Sequence, residues 1–307
     1  MNYILLVIAL TLIVVGAMLL TDGSVALARR MHIPEFIVGL TVVAVGTSMP
    51  EMAVSMISAL DGYGDMAIGN VVGSNIANTL LILGVCAIFS PILFTRSNIR
   101  RDVPLNLGVS LILMVVAFTS GAINRLEGII LLTVYIAMML YSVFKDRKAM
   151  GEKVETADVM PSWRILVWIV AGLAGLIYGG DLFVTSATGI AKAWGVSEAV
   201  IAISLVAVGT SLPELAASLA SIFKGSPSIA LGNIIGSNIA NILLILGACS
   251  TVTPLMMNGV SMTDIYVVVA SAVALLLSAL FIGDKRITRL EGLLFLIFYV
   301  VYIYTLI

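Results

Sequence analysis

The second half of this chain is its first half again, displaced by 163 residues. Gly46-Thr47-Ser48-Met49-Pro50-Glu51 returns as Gly209-Thr210-Ser211-Leu212-Pro213-Glu214. The run from Gly69-Asn70 through Gly73-Ser74-Asn75-Ile76-Ala77-Asn78 returns from Gly232-Asn233 through Gly236-Ser237-Asn238-Ile239-Ala240-Asn241. Cys86 and Cys249 keep the same offset, and Arg125-Leu126-Glu127-Gly128 recurs one residue further on as Arg289-Leu290-Glu291-Gly292. A chain duplicated over its whole length folds as two copies of one unit. How those copies face each other depends on how often each crosses a membrane.

That a membrane is involved follows from composition. The chain is 61% hydrophobic and 11% charged, with a mean hydropathy of +1.16, whereas soluble domains carry about 25% charged residues. Apolar runs long enough to cross a ~30 Å hydrocarbon core fall near 3–27, 33–60, 66–93, 103–118 and 126–144. A second set falls near 163–184, 196–223, 229–255, 265–282 and 290–307. The fold class expected is therefore an all-α polytopic membrane protein of ten transmembrane helices, arranged as 1–145, a polar aperiodic linker 146–161, and 162–307. The first run has no basic segment ahead of it and no small-residue cleavage site after it, so it reads as a retained helix.

Five crossings per copy force the second copy into the membrane upside down, the inverted repeat of many secondary transporters. With the amino terminus on one face, 14 of the 16 Lys and Arg residues fall on the other, leaving only Arg125 and Lys192. By the positive-inside rule the basic face is cytoplasmic. Both termini are then extracytoplasmic, the linker is cytoplasmic, and the expected location is the cell membrane. No basic, aromatic-interleaved stretch points to nucleic acid.

The repeated motifs are polar where lipid tolerates polarity least. Pro50 and Pro213 each remove a backbone donor and should break their helices near Gly46 to Ser48 and Gly209 to Ser211. Freed carbonyls need a partner, because an unpaired one in lipid costs several kcal/mol. Glu51 and Glu214 add an ionised group costing about 3 kcal/mol each at mid-membrane, with no Lys or Arg at matching depth. Small residues beside a proline also make ordinary packing kinks, but the paired glutamates leave protonation or bound cations as the ways to offset their charge. Ser74 with Asn78, and Ser237 with Asn241, stand four apart on one helical face. Asn75 and Asn238 read as interhelical hydrogen-bonding residues. Together the donors are hard oxygens, which suit Ca²⁺ and Na⁺. The single histidine, His32, lies beside a basic turn and reads as interfacial, so zinc chemistry and serine-histidine proteolysis lack their imidazole. Cys86 and Cys249 read as packing residues.

These motifs resemble the alpha-repeats of the Ca²⁺/cation antiporter superfamily, in its Na⁺/Ca²⁺ exchanger branch. The resemblance covers essentially the whole chain. It implies four ion positions at mid-membrane, with Glu51 and Glu214 ligating Ca²⁺ beside the carbonyls of Thr47 and Thr210. Ser48, Ser74, Ser211 and Ser237, with carbonyls near Ala44 and Ala207, would complete two Na⁺ positions, and Asn78 and Asn241 would line the middle one. Helices one and six would slide as a pair to alternate access. The expected activity is antiport of Na⁺ against Ca²⁺, with these ions as substrates and no cofactor; H⁺/Ca²⁺ exchange is the alternative and a cation channel a remote one. No nucleophile–base pair or cofactor motif suggests an enzyme. Many relatives carry an acid at one of the two Asn positions, whereas here both are neutral, which leaves stoichiometry and K⁺ dependence open. The oligomeric state is also open, a monomer being one reading.

Overall fold

The computed structural model describes residues 2–119, 121–150, 160–194, 207–257, 260–281 and 285–306, with backbone only at 146–150 and 207–208. Helices α1 (Asn2–Met31), α2 (Glu35–Thr47), α3 (Met49–Leu60), α4 (Gly64–Phe89), α5 (Asn98–Thr119) and α6 (Arg125–Met150) form the first half. Helices α7 (Ser162–Ala193), α8 (Ala207–Thr210), α9 (Leu212–Phe223), α10 (Pro227–Val252), α11 (Met262–Leu280) and α12 (Arg289–Leu306) form the second. Among the described residues eight helices are long and apolar enough to span a membrane, or nine if the bent pair α2–α3 counts as one span. The expected run 196–223 lies partly outside the described residues, at 196–206.

The bounds repeat as the sequence does. Helices α9 and α10 begin and end 163 residues after α3 and α4, and π-helical turns at Ala77–Ile82 and Ala240–Ile245 keep the same spacing. One expectation shifts at the linker. Helix α6 continues to Met150 rather than ending at Phe144. Lys145 supports the extension, because its Nζ donates to Tyr141 Oη one turn earlier, at 2.7 Å.

Burial sorts the helices into a centre and a rim. In the most apolar stretch of each, 94% of α10 and 78% of α4 is buried, against 22% of α6 and 17% of α12. Rim side chains such as Ile136, Phe144, Phe298 and Val300 are apolar and exposed, as lipid-facing positions must be where water is absent.

The Arg-Leu-Glu-Gly repeat starts the two rim helices. Glu127 Oε2 accepts from Asn124 N–H at 2.8 Å while Asn124 Oδ1 accepts from Glu127 N–H at 3.0 Å. Thr288 and Glu291 exchange the equivalent bonds at 2.8 and 3.3 Å. These are reciprocal capping boxes, which satisfy donors a helix start otherwise leaves unpaired. One residue further on, Gly292 backs onto Gly84 and Gly128 onto Gly247. A Cβ on Gly292 would stand 2.7 Å from the Gly84 carbonyl oxygen, and one on Gly128 2.8 Å from that of Gly247.

Two short antiparallel ribbons link the halves. Strand β1 (Ile92–Leu93) pairs with β4 (Arg286–Ile287), and β2 (Ala122–Ile123) with β3 (Leu255–Met256). They tie the end of α4 to the start of α12 and the start of α6 to the end of α10. Helices α1 and α7 lie against each other with backbones in contact: a Cβ on Gly172 would meet Leu20 N at 2.6 Å and the Gly16 carbonyl oxygen at 2.8 Å. Cys86 and Cys249 are buried free thiols, and His32 is exposed in the turn after α1.

Candidate ion-binding site

Pro50 breaks its helix where the sequence predicts. Ser48 leaves the helical region at φ −83° and ψ 10°, and α3 departs from α2 at 46°. Ser211 does the same at φ −87° and ψ 4° ahead of Pro213. Each proline falls in the first turn of the following half-helix, where its missing N–H would have had no partner in any case. Glu51 and Glu214 sit in that same first turn and are buried, each 1% exposed.

The two breaks meet. Ser48 Oγ donates to Glu214 Oε1 at 3.0 Å, and Thr47 Oγ1 donates to Asn233 Oδ1 at 3.1 Å. Ser237 Oγ reaches the Ala44 carbonyl oxygen at 3.5 Å. Glu51 and Glu214 stand near enough for their charges to interact, and among the described residues no cationic side chain pairs with either. Both carboxyl oxygens of Glu51, Oε2 of Glu214, Oδ1 of Asn78 and Asn241, and Oγ of Ser211 are buried with no hydrogen-bond partner. Each such group costs about 1–3 kcal/mol when left unsatisfied.

Buried oxygens gathered with no cationic side chain to pair with them are what a cation site requires. The described residues hold no cluster of three or more His, Cys, Asp and Glu that could hold a metal ion, so the charged oxygens gathered at the breaks are those of two carboxylates.

Of the other residues singled out by sequence, Ser74 is buried on α4 and Thr210 half-buried at the end of α8. Ala207 opens α8, its side chain lying outside the described residues. The Ala44 carbonyl accepts from the Ser48 N–H at 3.1 Å and lies 3.4 Å from Thr47 Oγ1 and 3.5 Å from Ser237 Oγ. Two expectations change. Asn78 and Asn241 do not follow their serines on a regular α-face, because the wider π turns begin one residue before them. Such turns re-aim a side chain and are common at functional sites. Asn75 and Asn238 do bond between helices, Asn75 Nδ2 to the Asn238 carbonyl at 3.3 Å and Asn238 Nδ2 to Thr79 Oγ1 at 2.8 Å. They are not remote from the Ser/Asn face, however, since Asn241 Nδ2 donates to Asn75 Oδ1 at 3.0 Å.

Sequence reasoning quoted Asn70 and Asn233 without giving them a role, and passed over Ser55 and Ser218. Asn70 Nδ2 donates to the Glu51 carbonyl at 3.3 Å and to Ser55 Oγ at 2.9 Å; Asn233 Nδ2 donates to the Glu214 carbonyl at 3.4 Å and to Ser218 Oγ at 3.0 Å. The signal was present: a serine stands one turn after each glutamate at the same offset of 163.

Residues 1–144 and 164–307 match the family described as sodium/calcium exchanger protein. The chain belongs to the sodium/calcium exchanger family. It is 38% identical over 312 residues to a putative antiporter, CaxA, of Alkalimonas amylolytica, covering 99% of this chain and 98% of that one. It is 31% identical over 344 residues to the sodium/calcium exchanger MaX1 of Methanosarcina acetivorans, covering 99% and 98%. Its fold overlays a solved sodium–calcium exchanger, NCX_Mj, with a TM-score of 0.87 at 32% identity, over 100% of this chain and 98% of that one. Family membership and the apolar spans make this a multi-pass membrane protein, of the transporter class rather than an enzyme.

Proposed function

We propose that this protein exchanges Na⁺ for Ca²⁺ by alternating access at a site built on Glu51 and Glu214. The observation that carries the reading is the set of buried, donorless oxygens on Glu51, Glu214, Asn78, Asn241 and Ser211. In this reading Ca²⁺ lies between the two carboxylates, with the carbonyls of Thr47 and Thr210. Na⁺ takes Ser48, Ser74, Ser211 and Ser237, with the Ala44 and Ala207 carbonyls. The ions are the substrates and no resident cofactor is needed. Two carboxylates match one Ca²⁺ or two Na⁺ in charge.

The architecture proposed is ten transmembrane helices in two inverted repeats, 1–145 and 162–307, joined by a cytoplasmic linker 146–161, with both termini outside the cell membrane. The charge split and the repeated bounds of α3, α4, α9 and α10 support it. The backbone contact of α1 with α7 favours their moving as one body.

Proteoliposomes loaded with Na⁺ and diluted into Na⁺-free buffer should take up ⁴⁵Ca²⁺. Uptake no greater than that of Glu51→Gln protein sinks the proposal. Uptake driven by a pH gradient without Na⁺ reassigns the coupling to protons.

A further inference from the structure

In each half one carboxamide holds the backbone that carries the glutamate. Asn70 and Asn233 occupy the first halves of α4 and α10 and bind, through Nδ2, the carbonyl of the glutamate and the hydroxyl of the serine one turn later. One side chain thereby pins the first two turns of each broken half-helix to the neighbouring inner helix. Those two turns carry the carboxylate. The Glu51 carboxyl faces only the Ser211 hydroxyl and that of Glu214 only Ser48 and Thr47, so the position of each charge depends also on its backbone, which the carboxamide holds.

The two carboxamides differ in one bond. Asn233 Oδ1 also accepts from Thr47 Oγ1 at 3.1 Å, whereas Asn70 has no such bond to Thr210. Asn233 is fully buried and Asn70 only half-buried. Asn233 therefore joins three elements, the start of α9, the inner helix α10 and the end of α2, and so reaches from one break to the other. Engaging the Thr47 hydroxyl also fixes the peptide at the first break.

We propose that Asn70 and Asn233 are positioning residues for the exchange reaction, and that Asn233, through Thr47, couples the geometry of the two half-sites. The proposal rests on the Glu51/Glu214 reading above. Neither residue is an ion ligand here. Asn233 acts by holding Glu214 and Thr47 where a cation can be shared between them.

The test is Na⁺-driven ⁴⁵Ca²⁺ uptake in proteoliposomes, with KM and maximal rate measured separately, for wild type, Asn70→Ala, Asn233→Ala, Thr47→Val, Ser218→Ala and the double variant Thr47→Val/Asn233→Ala. At about threefold per hydrogen bond in a membrane interior, Asn233→Ala should raise the Ca²⁺ KM about twentyfold and Asn70→Ala several-fold, with the maximal rate within about threefold of wild type. Thr47→Val, which keeps the peptide carbonyl, should raise KM about threefold. The double variant should match Asn233→Ala alone, because both changes remove the same bond. A merely structural role would lower the amount of active protein and the maximal rate, leaving KM unchanged. If Asn233→Ala does not fold, Thr47→Val and Ser218→Ala carry the test through their KM values. Unchanged KM in these variants, or multiplying effects in the double variant, overturns the proposal. Absence of exchange in the wild type would instead overturn the function on which it rests.

Discussion

Replacing Glu51 by Gln tests the charge logic of the site with little structural disturbance. Neither carboxyl oxygen of Glu51 holds a hydrogen bond of good geometry, Ser211 being the hydroxyl that faces it, so the amide forfeits little hydrogen bonding and fills nearly the same volume. What disappears is one of the two negative charges. A unit charge pair at 4 Å is worth about 4 kcal/mol at an effective dielectric of 20, so the carboxylate supplies about 8 kcal/mol of attraction to Ca²⁺ and about 4 to Na⁺. With half of that cancelled by relaxation and entering water, Ca²⁺ affinity falls about a thousandfold and Na⁺ affinity about thirtyfold. The remaining carboxylate balances one Na⁺ but leaves a bound Ca²⁺ with an uncompensated positive charge. The assay pairs ⁴⁵Ca²⁺ uptake into Na⁺-loaded proteoliposomes with calorimetric titration of each ion, on protein shown to be monodisperse by gel filtration. Uptake above a tenth of wild type, or equal losses of Na⁺ and Ca²⁺ affinity, would refute the reasoning.

Ser48→Ala deletes the bond to Glu214 Oε1 and should weaken Na⁺ activation of exchange by about three- to tenfold, read from the Na⁺ dependence of Ca²⁺ release. Asn78→Asp gives a third carboxylate at a position whose Oδ1 has no partner; the Hill coefficient for Na⁺ should rise, and an unchanged value would place Asn78 outside the ion path. Gly236→Ala would put a Cβ 2.5 Å from the Leu40 carbonyl oxygen and 2.7 Å from the Ala44 Cβ, so a loss of about 1–3 kcal/mol should appear as a lower midpoint in thermal gel filtration. Lys224→Met removes the ion pair with Asp22, whose partners are partly exposed, and should change the same midpoint by less than about 1 kcal/mol equivalent.

The sequence by itself determined the membrane class, the duplication, the two helix breaks and the acidic pair. These follow from local and one-dimensional facts: an apolar run has a length, a proline lacks an N–H, and an offset holds or does not. It also marked both asparagine motifs, because polar residues in lipid stand out against their surroundings. What it misread depended on contacts between segments. Asn75 and Asn238 looked as if they pointed away from the Ser/Asn face, yet Asn241 Nδ2 donates to Asn75 Oδ1 across the helices. The π turns at Ala77–Ile82 and Ala240–Ile245 re-aim Asn78 and Asn241 in a way that no α-helical spacing foretells. The Arg-Leu-Glu-Gly motif looked like a mere marker of repetition, while its Glu caps a helix and its Gly admits a neighbouring backbone.

Only the tertiary structure decided which oxygens are left over. A displacement of 163 residues says that every donor and acceptor exists twice, but not which pair closes. Ser48 bonds Glu214 at 3.0 Å while Ser211, which faces Glu51, falls outside hydrogen-bonding geometry, and Thr47 reaches Asn233 while Thr210 has no such bond to Asn70. Two like sequences can make unlike contacts because each meets residues of the other half as well as of its own. In the proposed reading, the acceptors that this packing leaves unpaired are where a cation would lower the energy most.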